Sequence, residues 1–179
     1  WQPHYISMDD IMCQASSIKV GDKIKLITEL YKIYAEFHPS ETFDKFYFWG
    51  EMLLSDFDMI DKYRIDADQL FTNITDLKEL EADLSYLTER QQEIIRHFWS
   101  SLGPEESLTE QKHKFLRIWR SLPKIYHAFR RRLTELGIGY GGMLQRRALE
   151  RLEGGEVQID SNQRFIIAGF NALSTCERA

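Results

Sequence analysis

The stretch that decides the fold is FYFWGEMLLSDFDMID, residues 46–61, with five aromatic and four acidic residues in sixteen positions and no proline. At 100° per residue, five of its apolar side chains fall within about 60° of one line along a helix. These are Phe46, Trp49, Leu53, Phe57 and Ile60. We therefore predict a long helix over residues 42–63 with this line of side chains buried.

The acidic residues of this helix raise the question of a metal-binding catalytic site. Asp44, Glu51 and Asp58 follow one another at intervals of seven residues, about 10.5 Å along a helix axis. Two of them cannot share one ion, whose ligand oxygens lie about 2.0–2.6 Å away. We therefore predict that they form a solvated face. Asp58 and Asp61 could approach each other, and together with Asp56 they carry the alternative hypothesis of a metal-dependent enzyme.

The rest of the chain predicts a mainly α protein with one short strand near the C-terminus. Apolar residues at helical spacing and capping patterns predict further helices. They cover a short segment after Ser7, residues 22–37, 68–84 (broken near 73–75), 88–102, 109–136 (kinked or broken at Pro123) and 140–152. The strand is RFIIAGF, residues 164–170. Ser174 and Glu177 form a capping box. Because one helical turn is unstable alone and the chain begins at Trp1, we expect a piece of a larger protein.

Composition predicts a folded chain in the cytoplasm. Hydrophobic residues make up 43% of the 179 positions, and no apolar run approaches the roughly 18 residues that span a bilayer. Cys13 and Cys176 lie far apart, so no disulfide framework is expected. Residues 1–106 carry 10 Lys+Arg against 21 Asp+Glu, whereas residues 107–179 carry 13 against 7. Either the acidic half and the basic half complement each other within one fold, or the basic half contacts a polyanion.

No motif predicts a catalytic residue, a cofactor site or a metal site. The five histidines show no paired spacing. Glu110 and Lys112 match only the E-x-K half of a nuclease signature, without a preceding strand that bears its aspartate. The run GIGYGG, residues 137–142, lacks the Gly-Lys-Ser/Thr of a phosphate-binding loop. For Gly141 and Gly142 we predict a turn or a close contact between helices.

The predicted helix over residues 109–136 carries a row of cations opposite its apolar side, which we predict to be buried and which includes Trp119, Tyr126 and Phe129. Basic residues so arranged suit the repeating phosphates of a nucleic acid backbone. The candidate DNA-binding residues are Arg117, Arg120, Lys124 and Arg131, joined by Arg146 and Arg147 on the next helix. The alternative interpretation is an ordinary solvated helix face.

Four segments, in order, resemble a known protein family. They are FDKFYFWGEMLLSDFDMID (43–61), DADQLFTNITDLKELE (66–81), YGGMLQR (140–146) and FIIAGFNALSTCE (165–177). Together they resemble the N-terminal helicase-like region of AddB-type proteins of the PD-(D/E)XK nuclease family. Those proteins are similar to UvrD-like superfamily I helicases whose ATPase motifs have decayed. The resemblance runs from about Met8 to the end, but Gly141 stands where the family usually has Glu.

The resemblance implies a helical fragment of an inactivated helicase domain, residues 1–179, in a protein that processes DNA ends during double-strand break repair. An AddA-type helicase–nuclease subunit would be its partner, and single-stranded DNA its ligand. It implies no catalytic residue here, because Gly169-Phe-Asn171 stands where working helicases carry acidic residues, and the nuclease motif belongs to another region. The alternative is a protein-interaction or scaffold module that does not touch DNA.

Overall fold

The computed structural model describes residues 4–76, 108–157, 166, 168–169 and 173–178. Helices within these residues cover more than half of the chain, which confirms the mainly α class. The chain divides into two compact units, one made of Trp1–Ile65 and Tyr126–Ala179 and the other of Asp66–Ile125. These boundaries differ from the one between the acidic and basic halves. The single helicase-like fragment stays a prediction.

The elements are numbered in chain order. The helices are α1 (Met8–Ser16), α2 (Lys23–Phe37), α3 (Phe43–Lys62), α4 (Ala67–Asp76), α5 (Leu108–Glu135), α6 (Gly141–Glu153) and α7 (Thr175–Arg178), and the strands are β1 (Lys19–Val20) and β2 (Ile138–Gly139).

Side-chain caps explain why several helices begin where they do. The Ser7 hydroxyl accepts a hydrogen bond from the backbone N–H of Asp10, and the Asp22 carboxylate accepts from two N–H groups at the start of α2. At α7 the predicted capping box is confirmed. The Ser174 N–H donates to the Glu177 carboxylate at 2.8 Å, and the Glu177 N–H donates to the Ser174 hydroxyl at 3.2 Å.

Two predicted features differ from the structure, and part of a third does. Helix α4 continues through residues 73–75 to Asp76, because Asn, Ile and Thr each disfavour a helix by only a fraction of a kcal/mol. Helix α5 continues across Pro123 as one helix, which excludes the predicted break, whereas the alternative of a kink stays a prediction. No strand is seen at Ile166, Ala168 or Gly169, the described part of the predicted strand, and Ile166 is 86% exposed, so it lacks the burial of a sheet residue. The predicted helix over 88–102, and residues 77–84, lie outside the described residues.

In the first unit, α3 packs against α2 and α6, and α6 also packs against α1 and α7. The predicted core row of α3 is buried except for Trp49, which is half-buried. Its rings contact those of neighbouring helices. Phe46 lies 4.6 Å from Tyr34 of α2 between ring centroids, and Phe57 lies 5.1 Å from Tyr126 of α5. Tyr126 and Phe129 are buried as predicted.

A parallel pairing of β1 with β2 joins the two chain segments that form the first unit, and the sequence gives no signal for it. The Lys19 N–H donates to the Gly137 carbonyl at 3.0 Å, and the Gly21 N–H donates to the Gly139 carbonyl at 2.9 Å. A Cβ on Gly139 would lie 2.9 Å from the side chains of Ile18 and Leu144. Glycine at this position therefore lets the strand lie directly on the core.

The second unit contains α4 and the first part of α5. Its described core is formed by Ala67 and Phe71 of α4 and by Ile118, Leu122 and Ile125 of α5. The ring of Phe71 lies 6.4 Å from that of Trp119, which is half-buried, whereas full burial was predicted.

Candidate functional site

A buried carboxylate, Asp61, lies at the centre of the first unit. Its side chain is fully buried, and two tyrosine hydroxyls donate to it. Tyr126 on α5 donates to one oxygen at 2.5 Å, and Tyr140, just before α6, donates to the other at 2.6 Å. The thiol of Cys176 on α7 donates to the Asp61 backbone carbonyl at 3.3 Å. One residue at the end of α3 thus connects three other helices.

Two arginines balance the charge of Asp61. Arg146 of α6 donates to the Asp61 carboxylate at 3.3 Å and to the Ile65 carbonyl at 3.1 Å. The Nε of Arg130 lies 3.6 Å from the carboxylate, an ion pair beyond hydrogen-bonding distance, and its guanidinium lies 5.6 Å from the centre of the Tyr126 ring. Glu150 is an ion-pair partner of both arginines. We call these six residues the Asp61 cluster: Asp61, Tyr126, Arg130, Tyr140, Arg146 and Glu150.

The pKa values of the cluster keep its tyrosines protonated. Burial, and then the negative charge of Asp61, raise the pKa of Tyr126 and of Tyr140 well above the ordinary value of 10.0. Burial alone would lower the pKa of Arg130, but the attraction of Asp61 and its neighbours outweighs it and raises that pKa. At neutral pH both hydroxyls are therefore donors to a charge-balanced carboxylate, which is a structural arrangement.

Asp58 holds the start of α6. Its carboxylate accepts a 2.6 Å hydrogen bond from the Gly142 N–H and pairs with Lys62 at 2.9 Å. The residue before α6, Tyr140, makes no side-chain cap, so a carboxylate from α3 takes that role at the positive end of the helix dipole. A Cβ on Gly142 would lie 2.1 Å from the Asp58 carbonyl. The predicted close helix contact at Gly142 is therefore confirmed.

These contacts correct, at Asp58, the prediction that Asp44, Glu51 and Asp58 form a solvated face of α3. Asp44 is exposed, but Asp58 is half-buried and Asp61 is completely buried. The sequence did contain a signal for Asp61, because residue 61 lies only about 40° from Phe57 around the helix, at the edge of the core row. In the alternative metal-dependent enzyme, Asp58 and Asp61 would have to release the partners just described. Among the described residues, no three His, Cys, Asp or Glu side chains are grouped to hold a metal ion.

Arg147 and Arg151 of α6 bind the end of α1. Arg147 donates to the Ser16 carbonyl at 3.0 Å, and Arg151 donates to the Ala15 carbonyl at 2.8 Å and to the Ser17 hydroxyl. Helix α1 has no basic residue in its own last turn. These two cations therefore satisfy carbonyls at the negative end of its dipole. To contact DNA, Arg147 would have to break its hydrogen bond to the Ser16 carbonyl. Arg146 would likewise have to break its hydrogen bonds to Asp61 and Ile65.

The other four candidate DNA-binding residues are exposed. Arg117, Arg120 and Lys124 lie on α5 within the second unit, and Arg131 lies on α5 within the first. In the part of the chain that the structure describes, no hydrogen bond or ion pair engages any of these four side chains. On the same helix Arg130 and Arg132 pair with Asp61 and Glu29. The structure thus separates cations that hold the fold together from cations that face solvent.

A scan against protein-family models, a search of curated proteins and a search of solved structures each found no match for this chain. Within the described residues, no helix combines the length and the apolar character that crossing a membrane requires.

Proposed function

We propose that this chain is a non-catalytic, helicase-like segment of a DNA end-processing protein of AddB type, acting beside an AddA-type subunit in double-strand break repair. Its contribution is a helical scaffold whose solvent-facing cations on α5 contact the phosphates of single-stranded DNA. The family part of the proposal rests on the four sequence segments that resemble AddB-type proteins. The DNA part rests on one structural observation, the exposure of Arg117, Arg120, Lys124 and Arg131.

The spacing of three of these cations fits a phosphate backbone. Arg117, Arg120 and Lys124 follow at i, i+3 and i+7, which places them on one side of a helix within about 60°. Exposed cations attract phosphates at any base sequence, because each neutralised phosphate releases counterions. The predicted binding is therefore independent of sequence and weakens as salt rises.

The salt dependence of binding tests this proposal. For single strands, the slope of log affinity against log salt is about −0.7 per phosphate contact, so four contacts give roughly −3. Replacing Arg117 and Lys124 by alanine should make the slope shallower by about 1.4. The measurement is fluorescence anisotropy of a labelled oligothymidine between about 50 and 200 mM salt, with and without an AddA-type subunit.

The matched control removes the same charge elsewhere. Lys25 of α2 and Lys45 of α3 are exposed, and within the described residues neither side chain forms a hydrogen bond or an ion pair. The K25A/K45A variant has the same net charge as R117A/K124A and should keep the wild-type slope. Both variants should retain wild-type stability within about 0.5 kcal/mol, because all four residues are exposed.

Two results would contradict the DNA contact. One is an identical salt slope for wild type and R117A/K124A, and the other is an equal change in both double variants, which would reflect net charge alone. If the oligothymidine binds neither in the presence nor in the absence of the AddA-type subunit, the protein-interaction module becomes the better interpretation.

A further inference from the structure

Helix α3 carries a second apolar row, on its solvent side. Four large apolar side chains there are substantially exposed: Phe48 at 66%, Met59 at 47%, Tyr63 at 44% and Met52 at 37%. We call these four residues the α3 outer row; Tyr63 is the residue that caps the helix. The core that the described residues of the first unit form does not include these four side chains.

The outer row has the geometry of a helix-docking surface. Its residues are spaced by four, seven and four positions, so they fall within about 60° around the helix and extend over roughly 22 Å, or four turns. The row lies about 120° around α3 from the core row. A surface helix normally presents polar residues there. Single exposed apolar residues are common, but four large ones aligned on one side of a helix over four turns are typical of an interaction site.

The charges beside the outer row are mainly acidic. Asp44 and Asp56 are exposed, and neither forms an ion pair within the described residues. The other two acids on this side are already paired, Glu51 with Lys23 at 2.7 Å and Asp58 with Lys62 at 2.9 Å. One exposed lysine, Lys45, is interspersed. Among the described residues, this surface thus offers two carboxylates, those of Asp44 and Asp56, without an ion-pair partner.

Asp56 is the acid best placed to recognise a cation. It lies four residues after Met52 and about 60° from Met59 around the helix, at the middle of the row. The Asp56 side chain is exposed to solvent, and partial desolvation of its carboxyl raises its pKa. A cation brought close to it would have less competition from water than at a fully solvated acid, and so would bind more strongly.

We propose that the α3 outer row is the docking site for a basic amphipathic helix of a partner protein. An apolar row four turns long matches the i, i+3, i+4, i+7 anchors of such a helix. Two of its four members are methionines, whose flexible side chains adapt to an incoming apolar face. Lysine or arginine beside those anchors would pair with Asp44 and Asp56. This inference does not depend on the DNA contact proposed for α5.

A second copy of the chain fits the same surface poorly. A twofold symmetric pair of α3 helices packed along the outer row would have its axis near residues 55 and 56, midway between Phe48 and Tyr63. The two copies of Asp56 would then face each other. Like charges brought together at the centre of an interface oppose association, whereas a cation at that position of a different helix favours it.

A designed peptide tests the proposal on the whole chain. The probe is a labelled leucine–lysine peptide with leucine at helical spacing, and the controls are the same composition scrambled and a leucine–glutamate version. The leucine–lysine peptide should bind more tightly than either control. In methionine-methyl NMR spectra, Met52 and Met59 should shift on binding, whereas Met143, which is 1% exposed, should not.

Matched variants locate the binding site. Met59→Gln should weaken binding of the leucine–lysine peptide at least tenfold. The matched control is Leu152→Gln on α6, which also replaces a partly exposed apolar residue (37% exposed) and should leave binding unchanged. Asp56→Asn should weaken binding and reduce its salt dependence. Equal binding of the lysine and glutamate peptides, or unchanged binding by Met59→Gln, would overturn the proposal. So would a wild-type dimer in sedimentation that Met59→Gln dissociates, because the occupant would then be a second copy.

Discussion

Replacing Asp61 by alanine should remove much of the stability of the first unit. The carboxylate accepts buried hydrogen bonds from Tyr126 at 2.5 Å and Tyr140 at 2.6 Å, and a part-buried one from Arg146 at 3.3 Å. Alanine removes the carboxylate to which two buried hydroxyls donate and with which Arg130 and Arg146 form ion pairs. The substitution therefore disrupts hydrogen bonds and charge balance together.

The magnitude follows from these contacts. Removing one partner of a buried ion pair costs about 3–5 kcal/mol, and each buried hydroxyl left without a partner costs about 1–3 kcal/mol. These effects share the same groups and do not add fully. We expect a loss of about 4–5 kcal/mol for Asp61→Ala, a large part of the 5–15 kcal/mol typical of a folded domain. Asp61→Asn keeps the shape and one acceptor oxygen, so it should lose less.

Urea unfolding, followed by circular dichroism and by tryptophan fluorescence, gives the free energy of unfolding of each variant. The matched control is Asp56→Ala, which removes the same charge from an exposed position of the same helix and should change stability by less than about 0.5 kcal/mol. If Asp61→Ala does not fold, Asp61→Asn and Tyr140→Phe supply the measurement. A loss below about 1 kcal/mol for Asp61→Ala, or equal effects of the two alanine variants, would refute the central role of this carboxylate.

Two further predictions concern the same helices. Gly142→Ala should lower the free energy of unfolding by about 1–3 kcal/mol, because the new Cβ would lie 2.1 Å from the Asp58 carbonyl. Gly141→Ala is the control and should be nearly neutral, because its Cβ would lie 3.5 Å from the Asp58 carboxylate. Equal urea midpoints for the two variants would contradict this. The free energy of unfolding should fall as pH rises above about 10. Above that pH Tyr140 loses its proton in the unfolded chain, whereas its raised pKa keeps it protonated in the folded chain. Tyr140→Phe should reduce that fall, and parallel pH profiles would count against it.

The sequence alone determined the helices of the first unit and, apart from Trp49, the buried row of α3. Periodicity and capping patterns act within a few residues, so the caps at Ser7, Asp22 and Ser174 and the burial of Phe46 and Phe57 could be predicted locally. The exposure of the α5 cations was likewise predicted from helical spacing. These features depend on neighbours along the chain.

Only the tertiary structure decided which polar residues hold the helices together. Asp61 and Tyr140 are 79 residues apart, and Arg147 and Ser16 are 131 apart, so no local pattern marks either pair. Two-residue strands are likewise too short to show a periodicity. Helical spacing placed Asp61 at the edge of the core row of α3, but it did not identify the hydrogen-bond donors that contact its carboxylate. The cost of burying a charge depends on those donors, and they come from distant parts of the chain.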